Sequence, residues 1–73
     1  MIQTVNMKMG ERLKKLRKTK NITQEEAARD LEIARGTIAK YEVNEIQPSP
    51  DMIVKLAHYF DCTTDYLLGK DRV

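Results

Sequence analysis

The sequence predicts an all-α domain of five short helices, and three observations carry that prediction. Apolar residues recur three and four positions apart, as in Leu13 and Leu16 and in Ile53, Leu56, Ala57 and Phe60, which is the helical period. Helix start signals stand before the later runs: Thr23 with Glu26 three residues on, Ser49 before Pro50 and Asp51, and the pair Thr63–Thr64. The strict alternation of a half-buried strand is missing, the N-terminal arm being the one stretch that offers any.

Taken in order, residues 1–6 (MIQTVN) form an uncharged arm expected to be disordered. The domain proper is expected over 7–69, with 70–73 as a tail. The first helix begins at Met9, buries Leu13 and Leu16, and sets Lys14, Lys15 and Lys18 on its other sides. Asn21 suits a left-handed exit. Ile22 turns inward and Thr23 caps the second helix, with Glu26 completing a capping box. That helix ends near Leu31, and a three-residue break without proline follows. The third helix runs from about Ala34 to about Val43, and Asn44 supplies its left-handed exit. After the loop EIQPSP, Ser49 caps the fourth helix, Pro50 pre-sets its first φ and Asp51 meets its positive end. The fifth, holding Tyr66, Leu67 and Leu68, stops at Gly69.

At 73 residues the chain buries only about 60–65% of its unfolded surface, so the core is thin. Cys62 is the only cysteine, which excludes a disulfide framework within one chain and fits a reducing compartment. No apolar run nears the roughly 20 residues of a membrane span, and MIQTVN has neither the basic start nor the apolar block of a signal peptide. A cytoplasmic, nucleoid-associated protein is expected. Charge is uneven: residues 1–40 carry ten bases and five acids, residues 41–73 three bases and six acids. Such asymmetry suits a polyanion at one end, or a basic first helix that is merely solvated.

Catalytic readings find little support. His58 and Cys62 stand one helical turn apart, but zinc wants three or four ligands, so neither metal nor cofactor is expected. No nucleophile–base or paired-carboxylate arrangement stands out, and the chain leaves little room for a substrate cleft. Neither an enzyme nor a small-molecule substrate is expected.

The third helix is more informative. At about 100° per residue, Ile38 and Tyr41 fall together as an inner face, and Gly36, Ala39, Lys40 and Val43 lie opposite. Glycine inside a helix costs up to about 1 kcal/mol against alanine, a cost offset when the outer face must approach another body closely. The DNA major groove admits one helix and offers acceptors on guanine and a methyl on thymine. Arg35 and Lys40 can donate to the first, and Ala39 can touch the second. The helix 2 N-terminus with Gln24 can bind a phosphate.

The stretch TQEEAARDLEIARGTIAKYE, with Pro48 and DYLLG beyond it, resembles the lambda-repressor-like helix-turn-helix family, the DNA-binding domains of phage repressors and Xre-type bacterial regulators. The resemblance covers Met9 to Gly69. It implies that helix 3 lies in the major groove and helix 2 crosses the backbone of a double-stranded operator. Base reading then falls to Arg35, Gly36, Thr37, Ala39 and Lys40. Phosphate contacts fall to Thr23, Gln24, Asn44, Lys14 and Lys18. Arg17 and Glu42 match a structural ion pair tying helix 1 to the end of helix 3. Three positions depart from the family pattern: Ala34 at the usual Ser/Thr cap, Glu32 at the usual turn glycine, and Gly36 in place of a base-reading side chain.

The expected function is sequence-specific binding of a palindromic operator as a repressor. The rival is a protein–protein adaptor or antitoxin-like module, which would show apolar or acidic residues on the outer face of helix 3. A homodimer is expected, through Tyr59, Tyr66 and Leu68, which have no evident internal partner in the sequence pattern.

Overall fold

The structure, a computed structural model, describes residues 8–70. The arm at 1–6 and the end of the tail lie outside the described residues. The helices are α1 (Met9–Thr19), α2 (Gln24–Leu31), α3 (Arg35–Glu42), α4 (Pro50–Tyr59) and α5 (Thr64–Leu68). Among the described residues there is no strand.

Side chains at the helix starts define the boundaries. Thr23 Oγ1 accepts from the Glu26 N–H at 3.0 Å while the Thr23 N–H donates to Glu26 Oε1 at 2.8 Å, a complete capping box. Ser49 Oγ accepts from the Met52 N–H at 3.2 Å, and Thr63 Oγ1 from the Tyr66 N–H at 3.0 Å. At α1, Glu11 reaches back to accept the Lys8 N–H at 3.0 Å. Ala34 gives α3 no side-chain cap, which forgoes about 1 kcal/mol.

The exits are left-handed at Asn21 (φ 59°), Glu32 (62°), Asn44 (62°), Asp61 (56°) and Gly69 (77°). Asparagine and glycine suit that region; Glu32 carries a Cβ penalty. The exit at Asp61 has no counterpart in the sequence reading.

The core gathers Leu13, Leu31, Ile38, Tyr41, Phe60 and Leu67 around the fully buried Leu56. Ala27 and Ala28, both buried, keep the α2–α3 crossing close. The α1–α3 crossing is close as well. A Cβ on Gly10 would collide with the Tyr41 carbonyl and lie 2.6 Å from that of Glu42, so only glycine fits. The Gly10 N–H donates to Asn44 Oδ1 at 3.0 Å, tying the start of α1 to the exit of α3.

Two of the residues expected at a dimer interface have internal partners after all. The Tyr59 hydroxyl donates to Asp30 Oδ2 at 2.7 Å, and its ring meets Phe60 edge-on with centroids 4.9 Å apart. The Tyr66 ring lies under the Arg12 guanidinium, 5.3 Å from carbon to centroid, and packs on the core. Both partners come from distant segments, which a pattern of local apolar spacing cannot pair. Leu68 stays 44% exposed.

Candidate nucleic-acid interface

The interface is built on α2 and α3. The inner face of α3 buries Ile38, Tyr41 and Glu42. Its outer face presents Arg35, Gly36 and Lys40, with Val43 at its end, all exposed, and Thr37 and Ala39 half-buried at the margins. A Cβ placed on Gly36 would meet nothing among the described residues, so this glycine serves no packing need there. Val43, 68% exposed, extends the outer face by one turn beyond Ala39. It lies on the arc that helical spacing assigns to Gly36 and Lys40, so its place was legible in the sequence although it was not among the expected site residues.

Behind this face the fold is clamped by a buried ion pair. Arg17 Nε donates to Glu42 Oε2 at 2.6 Å and its Nη2 to Oε1 at 3.1 Å, while Nη1 donates to the Ile22 carbonyl at 2.8 Å. The two residues are only 8% and 6% exposed. The hydrogen bond to Glu42 raises the Arg17 pKa above its ordinary value against the opposing effect of burial. This bidentate geometry is the strong form of the interaction, and it locks α1 to the end of α3 and to the turn into α2.

Thr23, Gln24 and Glu25 at the start of α2, together with Arg17 and Arg35, line a cleft of about 400 Å³. The first N–H groups of a helix have no helical acceptor and carry its positive end. The Thr23 hydroxyl accepts from Glu26 and keeps its own proton to donate. Gln24 Nε2 donates to Glu42 Oε1 at 3.0 Å, a contact the sequence reading missed. Arg35 at the start of α3 borders the same cleft, so cations and helix-end donors converge there. Glu25 adds one opposing charge.

The other expected phosphate contacts fare differently. Lys14 and Lys18 are exposed on α1, and neither forms an ion pair among the described residues. Asn44 is exposed, but its Oδ1 is engaged by the Gly10 N–H. Only its amide nitrogen is left to meet a phosphate. Among the described residues, no three His, Cys, Asp or Glu residues lie close enough to hold a metal ion. Nor, among the described residues, is any helix long and apolar enough to cross a membrane.

Five short helices with a capped α2, a left-handed turn and a bare-faced α3 define a helix-turn-helix domain of the phage-repressor type. Comparison with known proteins agrees: the helix-turn-helix family model matches residues 13–67, and the chain belongs to that family. It is similar to the HTH-type transcriptional regulator ImmR of Bacillus subtilis (strain 168), at 42% identity over 67 residues, covering 92% of this chain and 53% of ImmR. It is also similar to the HTH-type transcriptional activator BcrR of Enterococcus faecalis, at 33% identity over 92% of this chain and 33% of BcrR. The chain thus spans about half the length of ImmR and a third of BcrR. Among solved structures, the P22 c2 repressor in complex with a synthetic operator superposes with TM-score 0.83 at 29% identity, over 89% of this chain and 98% of that one. The DNA-binding domain of the same repressor in solution gives TM-score 0.84 at 28% identity, over 93% and 90%.

Proposed function

We propose that this chain binds double-stranded DNA and acts as a transcriptional regulator, with α3 in the major groove and the start of α2 against the phosphate backbone. The observation that carries the reading is the outer face of α3. Arg35 and Lys40 stand exposed there without an ion-pair partner among the described residues. Beside them is a glycine whose missing side chain leaves open space. An adaptor has no use for two unpaired cations flanking bare backbone, whereas base edges in the major groove do. The similarity to a repressor solved on its operator supports the same docking.

In this reading Arg35 and Lys40 donate to base acceptors, Ala39 and Thr37 make the close margins, and Gly36 admits the approach. Thr23, Gln24, Lys14, Lys18 and the Asn44 amide nitrogen hold phosphates. The described chain acts by binding, not catalysis, at the nucleoid in the cytoplasm. Residues 1–6 and 70–73 serve as arm and tail to a binding domain at 7–69. Repression is the proposed mode, because occupancy of a promoter suffices for it whereas activation needs a further contact with polymerase. Two copies bind a two-fold operator, meeting through the exposed Ile46 and Leu68. Both line a hollow of about 430 Å³ with Met9 and Pro48. Selection of bound DNA from a random pool tests the reading. One enriched motif with two-fold symmetry is expected, and no enrichment over the input pool would refute DNA recognition.

A further inference from the structure

The buried Arg17–Glu42 pair connects to the outer surface through Gln24. Glu42 Oε1 receives two donors, Arg17 Nη2 at 3.1 Å and Gln24 Nε2 at 3.0 Å, while Oε2 is taken by Arg17 Nε at 2.6 Å. A carboxylate only accepts, so the Gln24 amide has one permitted orientation, with its nitrogen toward Glu42. A primary amide nitrogen carries two hydrogens, and one remains for a ligand beside the carbonyl oxygen. Gln24 also lines the cleft shared with Arg35 and the first turn of α2. An unheld glutamine on a surface samples many rotamers and loses that freedom on binding. One pinned at its nitrogen by a buried, doubly bonded carboxylate has already lost it.

We propose that Glu42, beyond holding the fold, is a positioning residue for DNA recognition: it fixes the Gln24 amide so that one N–H faces a backbone phosphate. The proposal rests on the DNA-binding reading above and adds to it a residue that touches no DNA. Arg17 is the anchor of the relay, because it holds both Glu42 oxygens and, through the Ile22 carbonyl, the chain leading into α2.

The test is a double-mutant cycle on the full chain and its selected DNA site, using Glu42→Gln and Gln24→Ala. In Glu42→Gln one carboxylate oxygen becomes an amide nitrogen, so Arg17 and Gln24 compete for the single acceptor oxygen left. Operator affinity should fall about tenfold when Gln24 is present and less than about threefold when Gln24 is already alanine. Equal factors in both backgrounds, with wild-type binding intact, would show that Glu42 acts through the fold alone and would overturn the proposal. Failure of the wild-type chain to bind any selected DNA would instead remove the DNA-binding reading and the proposal with it. Should Glu42→Gln not fold, the wild-type chain decides by side-chain amide NMR. Gln24 should show an order parameter near that of rigid backbone, about 0.85, while Gln47 in the exposed α3–α4 loop falls below about 0.6. Equal mobility of the two amides overturns the proposal.

Discussion

Glu32 ends α2 with φ at 62° and its side chain exposed, a position where an L-residue costs about 1 kcal/mol that glycine does not. Glu32→Gly is therefore expected to stabilise the domain by about 1 kcal/mol, raising the melting temperature by about 4–8 °C. Glu32→Ala keeps the Cβ and should give no such gain. Equal melting temperatures for the two variants would show that the turn carries no strain. The strain was legible through the family resemblance, which puts a glycine where Glu32 stands, and the positive φ bears it out. Asp61, by contrast, could not be foreseen, since nothing local distinguishes it from an ordinary helix-end aspartate. Residue-level roles at the interface separate by sequence dependence. Arg35→Ala should cost about 1–3 kcal/mol on the best site and relax preference at one base pair. Lys14→Ala should weaken all sequences alike and flatten the salt dependence by about 0.9 in the log–log slope. An unchanged selected motif for Arg35→Ala would remove α3 as the reader.

Between elements, two contacts besides the Arg17–Glu42 pair set the geometry, and both join residues far apart in sequence. At the first, Gly10 lets α1 lie against the Tyr41 and Glu42 carbonyls of α3. Gly10→Ala should separate the two helices and destabilise by about 1–3 kcal/mol, read by urea unfolding, and a change below 0.5 kcal/mol on the same order-of-magnitude scale would show that the crossing relaxes freely. At the second, Tyr59 of α4 donates to Asp30 of α2. Burial first, and then the bond to Asp30, push the Tyr59 pKa from 10.0 up to about 12. A raised tyrosine pKa favours the neutral, folded form, so its contribution to stability is complete below pH 10 and is lost as pH rises through about 12. Wild-type stability should therefore fall more steeply than that of Tyr59→Phe between those values. Parallel pH profiles would show that Asp30 does not hold the hydroxyl. Helix limits and caps were legible because they depend on neighbours within four residues. The α2–α4 tie was not, which is why Tyr59 looked unpartnered until the fold brought Asp30 to it.

At the scale of the whole molecule, the charge asymmetry acquires a location: Lys14, Lys18, Arg35 and Lys40 all come from the basic first forty residues, whose helices α1–α3 frame the proposed DNA face. The proposed partner surface falls elsewhere. An eight-residue α3 is only about 12 Å long and covers a few base pairs, so one copy reads little. A two-fold pair places two such helices about 34–36 Å apart, one turn of DNA, and doubles the contacts. With Tyr59 and Tyr66 engaged internally, the apolar groups left beside one hollow are Ile46, 40% exposed, and Leu68, 44% exposed. Leu68→Asp should then weaken operator binding and abolish cooperativity between half-sites, while leaving the melting temperature and the bases preferred by one half-site unchanged. Footprinting on the selected site reads both: wild type should protect two half-sites together, and Leu68→Asp should protect them independently at higher protein concentration. Protection of a single half-site by the wild-type chain, with no two-fold repeat, would rule out the pair. Identical cooperative footprints from wild type and Leu68→Asp would move the contact away from the Ile46–Leu68 hollow.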